Sequence, residues 1–236
     1  GTMGATDETN GIHMTDAPDT LSLATDDLGH DEMYLLLRDS IAPRPIAWVA
    51  TADEQGRANL APYSFFNVCS SHPPVLGFAV GPRPKSAASG GAQYKDTLDN
   101  IRATGEMVIN MVPETLLEPM VKTSTNLPPG EDEFAHAGLQ PVASESVRPP
   151  RVLGSPVAFE CVLHQIVEIG NHHWVMGRVV RTHVDRRIYL GEYKGMNHRV
   201  DPMRVESLRP VGRLGRAWYV KIREIETVLR ADGPND

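Results

Sequence analysis

The stretch from Arg44 to Asn67 constrains the fold of this chain more than any other segment. Apolar side chains alternate along its first half, Asp53–Gly56 has the composition of a turn, and its second half ends in hydroxyl-bearing and aromatic residues. Successive side chains of a strand point to opposite faces, and Gly56 can supply the positive φ that hairpin turns use. The stretch therefore predicts a β-hairpin, with a first strand over 41–51 and a return strand over 59–67.

The distribution of charge limits the kinds of partner. The 236-residue chain has a net charge of −7, but its first 33 residues hold eight acids and neither Lys nor Arg. Removing those eight negative charges leaves a net charge of +1 on the rest of the chain. A nucleic-acid-binding domain would carry a clustered basic surface, and a membrane span would need about 18 or more consecutive apolar residues. We expect no nucleic acid and no membrane as partners, and a cytoplasmic location.

The chain has no internal repeat and no linker that would divide it into two folded domains. We predict a flexible acidic arm over residues 1–32, one folded domain over 33–230 and a short tail over 231–236. Cys69 and Cys161 lie far apart in apolar segments, and we predict that both are buried, reduced thiols.

The rest of the domain alternates between short apolar segments and polar connections. Val157, Phe159 and Cys161 begin a period-two pattern that predicts one buried face. The predicted strands cover 75–80, 106–112, 157–169, 174–184, 187–190 and 220–229; the predicted helices cover 95–104 and 114–122; the predicted loops cover 81–93, 126–138 and 193–216. Many short strands with few helices predict a mainly β domain, closed or partly closed as a barrel.

Several residues suit a phosphorylated planar ligand such as flavin mononucleotide (FMN). Arg44, Lys95 and Thr97 combine positive charge, a hydroxyl and the free N–H groups of a helix start, which together favour a phosphate. Asp96 or Thr97 can cap that helix. The strand end Ser64–Asn67 can present backbone N–H and C=O groups to the edge of a ring.

Each of these residues also has a simpler interpretation. Arg44 could be a surface arginine, the helix start could be only a cap, and Phe65 and Phe66 could be core residues. The nine histidines raise a further alternative, a metal-dependent hydrolase, although the chain has neither H-E-x-x-H nor paired C-x-x-C spacing.

The order and spacing of these segments resemble the flavin reductase-like family of FMN-binding split barrels. The matching blocks are RPIAWVAT, NLAPYSFFN, S-x-P-P, KDT followed by NI, TGE-x-V-x-N and, near the end of the chain, LRPVGRLG. The resemblance implies a single-domain Greek-key split β-barrel, non-covalent FMN and a homodimer. The implied FMN-binding residues are Arg44, Pro45, Ile46, Ser64, Phe65, Phe66, Asn67, Lys95, Asp96, Thr97 and Arg213.

The resemblance also implies an activity: hydride transfer from NADH or NADPH to the flavin, with reduced flavin serving a monooxygenase or another electron acceptor. The flavin supplies this chemistry, so no side chain is predicted to be a catalytic acid or base. Without a dinucleotide-binding motif, NADH and NADPH remain open. Two further alternatives are an FMN electron carrier of the flavoredoxin type and a barrel that has lost its flavin.

Overall fold

A computed structural model describes residues 20–83, 95–125, 127 and 131–228 of the chain. The chain divides into two compact units, residues 1–37 and 38–236. In the first unit the described residues hold a 3-10 turn, Thr25–Asp27, and the start of helix α1 (His30–Ser40), which ends just inside the second unit. Most of the predicted arm, residues 1–19, and the predicted tail lie outside the described residues, as does most of the predicted loop over 81–93.

The second unit holds the strands and the remaining helices. The strands are β1 (Ala47–Ala52), β2 (Ala58–Tyr63), β3 (Phe66–Ser71), β4 (Pro74–Val80), β5 (Glu106–Asn110), β6 (Pro141–Val142), β7 (Arg151–Val152), β8 (Val157–Ile169), β9 (His172–Val184), β10 (Tyr189–Tyr193), β11 (Met196–Val200), β12 (Val211–Arg213) and β13 (Tyr219–Lys221). The helices are α2 (Asp96–Thr104), α3 (Leu117–Lys122) and α4 (Glu133–Ala137), with 3-10 turns at Glu114–Leu116 and Glu206–Leu208.

Seven strands form one antiparallel sheet in the order β2-β1-β5-β8-β9-β4-β3. Strands β2 and β3 are consecutive in the chain yet lie at opposite ends of this order, and in the described residues no ladder of hydrogen bonds joins them. The sheet is therefore not closed between its two end strands, β2 and β3, and the seven strands form an open (split) barrel. The predicted class, a mainly β single-domain split barrel with a few helices, is confirmed.

Both faces of this sheet are buried, each in its own apolar cluster. Along β1 the predicted alternation is confirmed, since Trp48 and Ala50 belong to one cluster and Ala47 and Val49 to the other. Met120 of α3 and Phe134 of α4 cover the first cluster, whereas Leu98 and Ile101 of α2 cover the second. A two-sided sheet of this kind needs helices on both faces, and the short amphipathic helices provide them.

Two buried polar side chains tie the centre of the sheet to its surroundings. The indole N–H of Trp48 donates to Thr123 Oγ1 at 2.9 Å. The Asn110 amide donates to the Trp48 carbonyl at 3.1 Å, and its oxygen accepts from the Val152 N–H at 3.0 Å. Buried polar groups of this kind are costly unless paired, and these are paired.

The predicted hairpin is confirmed, with its turn at Gly56 (φ +83°), but its strands have different bounds. The first strand begins at Ala47 rather than Ile41. The return strand divides at Ser64 and Phe65, because the chain leaves β1 there and the Phe65 carbonyl accepts from the Ala79 N–H of β4 at 2.8 Å. The break places the start of β3 at an edge of the sheet.

The prediction for the cysteines is half right. Both thiols are free, and Cys161 is buried in β8, but Cys69 is exposed. Strand β3 has a single neighbouring strand in the sheet order, and its register shifts between Val68 and Ser70, so its apolar residues are not enclosed. Val68, beside Cys69, is 65% exposed.

The single buried face predicted for the β8 segment is wrong. Phe159, Cys161 and Leu163 keep to one face, in the second cluster, and the register shift between Leu163 and Gln165 then interrupts the period of two. Ala158 and Glu160 are buried on the side predicted to face solvent, whereas Ile169 is 60% exposed. The buried Glu160 carboxylate is paired, since it accepts the N–H groups of the loop 145–147 and contacts His183 Nε2 at 2.5 Å.

Two predicted loops contain regular structure. The segment 126–138 includes α4, whose start is capped by Asp132, which accepts the Phe134 N–H at 2.8 Å. The segment 193–216 includes β11 and β12. The closing strand predicted over 220–229 is shorter and covers only β13 (Tyr219–Lys221). These elements are too short to show a period in the sequence.

The remaining helix predictions are corrected in detail. The predicted helix 114–122 begins as a 3-10 turn, and its residue Val121 is 38% exposed. Helix α2 ends at Gly105, as predicted, in the left-handed conformation. Its N-cap residue is Lys95, so neither Asp96 nor Thr97 caps it.

Candidate functional site

Arg44 lies at the centre of a buried junction. Its side chain donates to the carbonyls of Arg38, of Ile41 (2.6 Å) and of Leu214 (3.0 Å), and to Ser64 Oγ (3.3 Å). Its backbone exchanges two hydrogen bonds with Arg213, of 2.9 and 2.8 Å. The name Arg44 junction is used below for Arg44, its partners Ser64, Arg213 and Leu214, and the segment 38–41. The residue is only 5% exposed, so the simple surface interpretation does not apply.

The C-terminal side of the Arg44 junction is also tightly packed. A Cβ atom at Gly215 would lie 2.1 Å from a carboxylate oxygen of Asp39, so a larger residue there would require the Asp39 side chain to move. The guanidinium of Arg213 donates to the carbonyls of Trp218 (2.8 Å) and Arg216 (2.5 Å) and lies 4.6 Å from the centre of the Tyr219 ring. Arg213 therefore holds the turn that carries this side of the junction.

The break between β2 and β3 presents an aromatic ring beside the Arg44 junction. The Phe65 ring is stacked with the His172 imidazole, with centroids 5.9 Å apart and planes inclined by 21°. The Arg44 guanidinium carbon lies 5.8 Å from the centre of the same ring. Flat, half-buried groups at a strand break suit one end of a planar ligand.

A small polar pocket lies next to this break and is called the phosphate pocket below. Its volume is about 120 Å³. The residues that line it are Asn59, Ala61, Pro62, Tyr63, Arg83, Lys95, Asp96, Thr97, Thr123, Ser124, Thr125, Leu127 and Glu133. Pockets that enclose a whole drug-sized ligand measure roughly 300–1,000 Å³. The phosphate pocket can therefore take only one end of such a ligand.

The cationic side of the phosphate pocket is the start of α2. No side chain caps this nine-residue helix at Lys95, so its first N–H groups lack the usual capping acceptor. The Lys95 ammonium lies 5.3 Å from the centre of the Tyr63 ring, and Arg83 pairs with Asp96 at 2.5 Å. Burial, together with the nearby Arg83 charge, lowers the pKa of Lys95. An uncapped helix start beside a desolvated cation favours an anion.

The lining of the phosphate pocket also holds a buried acid, Glu133. The Asn59 amide is 3.0 Å from Thr97 Oγ1 and 3.0 Å from Glu133 Oε1. It satisfies both only with its nitrogen toward Glu133 and its oxygen accepting from Thr97. Glu133 Oε2 is buried and makes no hydrogen bond to a residue in the described part of the chain.

The ionisation of Glu133 is strongly perturbed. Burial raises the pKa of Glu133 to about 7, and the charges of Asp96 and Asp132 act in the same direction. Backbone N–H groups of Glu133 and Leu60 oppose part of this rise. The side chain therefore changes its charge near neutral pH, inside a pocket that Arg83 and Lys95 also line.

The predicted binding residues fall into two groups that meet at Tyr63 and Ser64. Arg44, Ser64, Phe65 and Arg213 belong to the Arg44 junction or lie against it. Lys95, Asp96 and Thr97 line the phosphate pocket. The other predicted residues stand apart: Pro45 is exposed, Ile46 is buried in the core, Phe66 packs at the edge of the second cluster, and Asn67 is exposed.

Several residues that shape the site were missed in the sequence. Arg83 and Glu133 come from segments predicted as loops. Thr123–Thr125 follow a helix, and no local sequence pattern indicates that they line a pocket. His172 lies between the predicted strands 157–169 and 174–184, yet it begins β9 and stacks on Phe65. The run of three hydroxyl residues at 123–125 is the single pattern that could have drawn attention to this region.

Two further observations concern metal binding and membrane insertion. Within the ranges that the structure describes, no group of three or more His, Cys, Asp or Glu residues is arranged to hold a metal ion. In the same ranges, no helix has the length and hydrophobicity needed to cross a membrane.

Comparisons with known proteins agree with this architecture. An uncharacterised protein of Aquifex aeolicus is 39% identical over 191 residues, which cover 81% of this chain and 90% of that protein. Among solved structures, nitrilotriacetate monooxygenase component B from Bacillus cereus is 32% identical, with a TM-score of 0.78, over 90% of this chain and 100% of that one.

A second solved structure is similar to the same extent. Pseudomonas fluorescens 2-nitrobenzoate 2-nitroreductase is 28% identical, with a TM-score of 0.75, over 91% of this chain and 99% of that one. The sequence profile of the flavin reductase like domain matches residues 39–197. That match includes Arg44, Ser64, the phosphate pocket and all seven strands of the main sheet. The chain belongs to the flavin reductase-like family of oxidoreductase flavoproteins.

Proposed function

We propose that this protein binds FMN non-covalently and catalyses hydride transfer from NADH or NADPH to the bound flavin. The observation that carries the proposal is the position of Lys95, at an uncapped helix start, 5.3 Å from the centre of the Tyr63 ring, two residues before the strand-break residue Phe65 and its stack with His172. The helix start suits a phosphate and the stack suits a ring. Bound flavin supplies the redox chemistry by accepting two electrons and a proton as hydride.

The side chains of this protein would then bind, orient and shield the flavin. Lys95 and the first N–H groups of α2 would hold the phosphate through charge-assisted hydrogen bonds. Phe65 and the backbone of Ser64–Asn67 would place the ring, and Arg44 would hold the strand break in position. No side chain is assigned a proton transfer, since the hydride step needs none.

We further propose a cytoplasmic homodimer that delivers electrons to a monooxygenase or another acceptor. The B. cereus relative is named as one component of a monooxygenase, which supports a partner of this kind. The exposed edge strand β3, with Val68 65% exposed, supports a second copy of the chain at that edge. Light scattering of the purified protein tests the dimer, and a monomer at micromolar concentration would contradict it.

An absorbance experiment tests the central proposal. Purified protein is mixed with FMN, separated from free ligand and then titrated with NADH or NADPH under argon. Retained bands near about 370 and 450 nm that bleach with either nicotinamide are expected for an FMN-dependent reductase. Retained bands that resist both nicotinamides would favour the electron-carrier alternative, and protein that retains no FMN would contradict the site.

A further inference from the structure

The lining of the phosphate pocket contains an acid, Glu133, besides the cations Arg83 and Lys95. Glu133 is buried to about nine-tenths, and its Oε2 atom has no hydrogen-bond partner in the described residues. A buried, unpaired carboxylate oxygen is costly, so an unsatisfied one in a pocket calls for a ligand or a proton.

The charges around Glu133 determine whether a ligand or a proton satisfies its carboxylate. Lys95 and Arg83 are positive, and Asp96 is negative and paired with Arg83. Tyr63 faces the pocket as a neutral phenol, because burial raises the pKa of Tyr63. Asp132 precedes Glu133 and adds a further negative charge at the start of α4. With Glu133 ionised, the lining of the phosphate pocket has no net positive charge.

The lining of the phosphate pocket is therefore neutral when Glu133 is ionised and positive when Glu133 is protonated. A phosphate monoester would meet one of these two states. A carboxylate and a phosphate dianion repel each other in a desolvated space, whereas a protonated carboxyl can donate a hydrogen bond to a phosphate oxygen. The shared pocket makes the two groups close neighbours, and Glu133 already titrates near neutral pH before any ligand binds.

We propose that Glu133 takes up a proton when the phosphate of FMN occupies this pocket, and that the protein thereby distinguishes FMN from riboflavin in a pH-dependent manner. This inference rests on the proposed function, because it assigns the phosphate pocket to FMN. It makes Glu133 a specificity-determining residue. Riboflavin lacks the phosphate, so its binding involves no such proton.

Calorimetry measures the proton directly. FMN is titrated into wild-type protein at pH 7.5 in buffers that differ in ionisation enthalpy, and the same titrations are made with riboflavin. We expect uptake of between about half a proton and one proton with FMN and none with riboflavin. The dissociation constant of FMN should rise by up to about tenfold per pH unit above pH 7.

Two variants identify the group that takes up the proton. In Glu133→Gln the uptake should vanish, and with it the rise of the FMN dissociation constant above pH 7. The matched control Glu131→Gln removes a nearby exposed charge and should behave as wild type. Uptake that persists in Glu133→Gln would assign the proton to the phosphate itself, whose second pKa is near about 6, and would overturn the inference.

The possible failures are distinguishable. If FMN does not bind at any pH, the proposed function fails together with the inference. If FMN binds with equal proton uptake in wild type and Glu133→Gln, only the inference fails. Should Glu133→Gln not fold, the wild-type comparison decides, since equal proton uptake with riboflavin and FMN would overturn the role of the phosphate.

Discussion

The Arg44 junction and the phosphate pocket are built from similar residues but differ in how completely their polar groups are paired. In the junction, the Arg44 guanidinium bonds to three carbonyls and a hydroxyl, and the cation is fully enclosed. In the pocket, the helix start at Lys95 has no side-chain cap and Glu133 Oε2 has no partner in the described residues. Paired polar groups hold a fold together, whereas unpaired ones mark a place where a ligand completes the structure.

The largest effect that this comparison predicts concerns Arg44. Arg44→Met leaves several buried carbonyls without donors, so we expect a loss of about 3 kcal/mol or more in the free energy of unfolding. Urea denaturation measures the loss. The control Arg187→Met removes an exposed arginine paired with Asp185 and should cost less than about 1 kcal/mol. If Arg44→Met had normal stability but bound FMN poorly, the Arg44 junction would be a binding region and not a region that stabilises the fold.

A smaller effect, of opposite sign, is expected at Glu133. Folding raises the pKa of Glu133 from 4.5 to about 7, so the folded protein holds the proton more tightly and loses stability as pH rises through this window. Glu133→Gln lacks this loss. The free energy of unfolding of Glu133→Gln minus that of wild type should therefore increase by at most about 3 kcal/mol between pH 4.5 and 7 and stay constant above pH 7. Thermal unfolding at pH 5 and pH 8 checks the sign, and an equal shift at both pH values would contradict it.

The next effect is on binding. Lys95→Met removes the cation of the phosphate pocket, and a charge-assisted hydrogen bond of about 1.5–3 kcal/mol corresponds to a roughly 10- to 100-fold weaker affinity for FMN. Affinity for riboflavin should change little, and stability should not fall, because Lys95 is desolvated without a bound anion. Flavin fluorescence titration measures both affinities. The exposed Lys122, changed to Met, is the control, and equal losses for FMN and riboflavin would remove the phosphate from this pocket.

The smallest effect is expected at the edge of the Arg44 junction. Ser64 accepts from Arg44 Nε at 3.3 Å, the longest of the four bonds of that side chain. Ser64→Ala should therefore cost at most about 1 kcal/mol in the free energy of unfolding. A loss as large as that of Arg44→Met would mean that the hydroxyl, rather than the three carbonyls, holds the guanidinium.

The sequence predicts those parts of the fold that repeat over many residues. The alternation along β1 and the positive φ at Gly56 follow from local rules, and both are confirmed. Helix α4 has only five residues, so no period could show it. Burial of both faces of β8 depends on its neighbours: Ala158 packs in the first cluster, whereas Phe159 and Cys161 pack in the second.

The candidate site was predictable on one side only. Lys95–Thr97 form a continuous block at a helix start, which local chemistry and the family resemblance both indicate. Arg83, Thr125 and Glu133 come from three separate segments, and only the packing of the sheet against α2 and α4 brings them to one pocket. The partners that enclose Arg44, such as Leu214, are equally distant in the chain.

Burial on both faces has a consequence for how strand β1 finds its position. Moving β1 by one residue would exchange its two apolar faces, and hydrophobicity alone would barely penalise the error. The contacts of Trp48 would not survive it, since its indole N–H must reach Thr123 and its carbonyl must meet Asn110. The register of a strand whose six residues are all buried is thus determined by a few polar atoms.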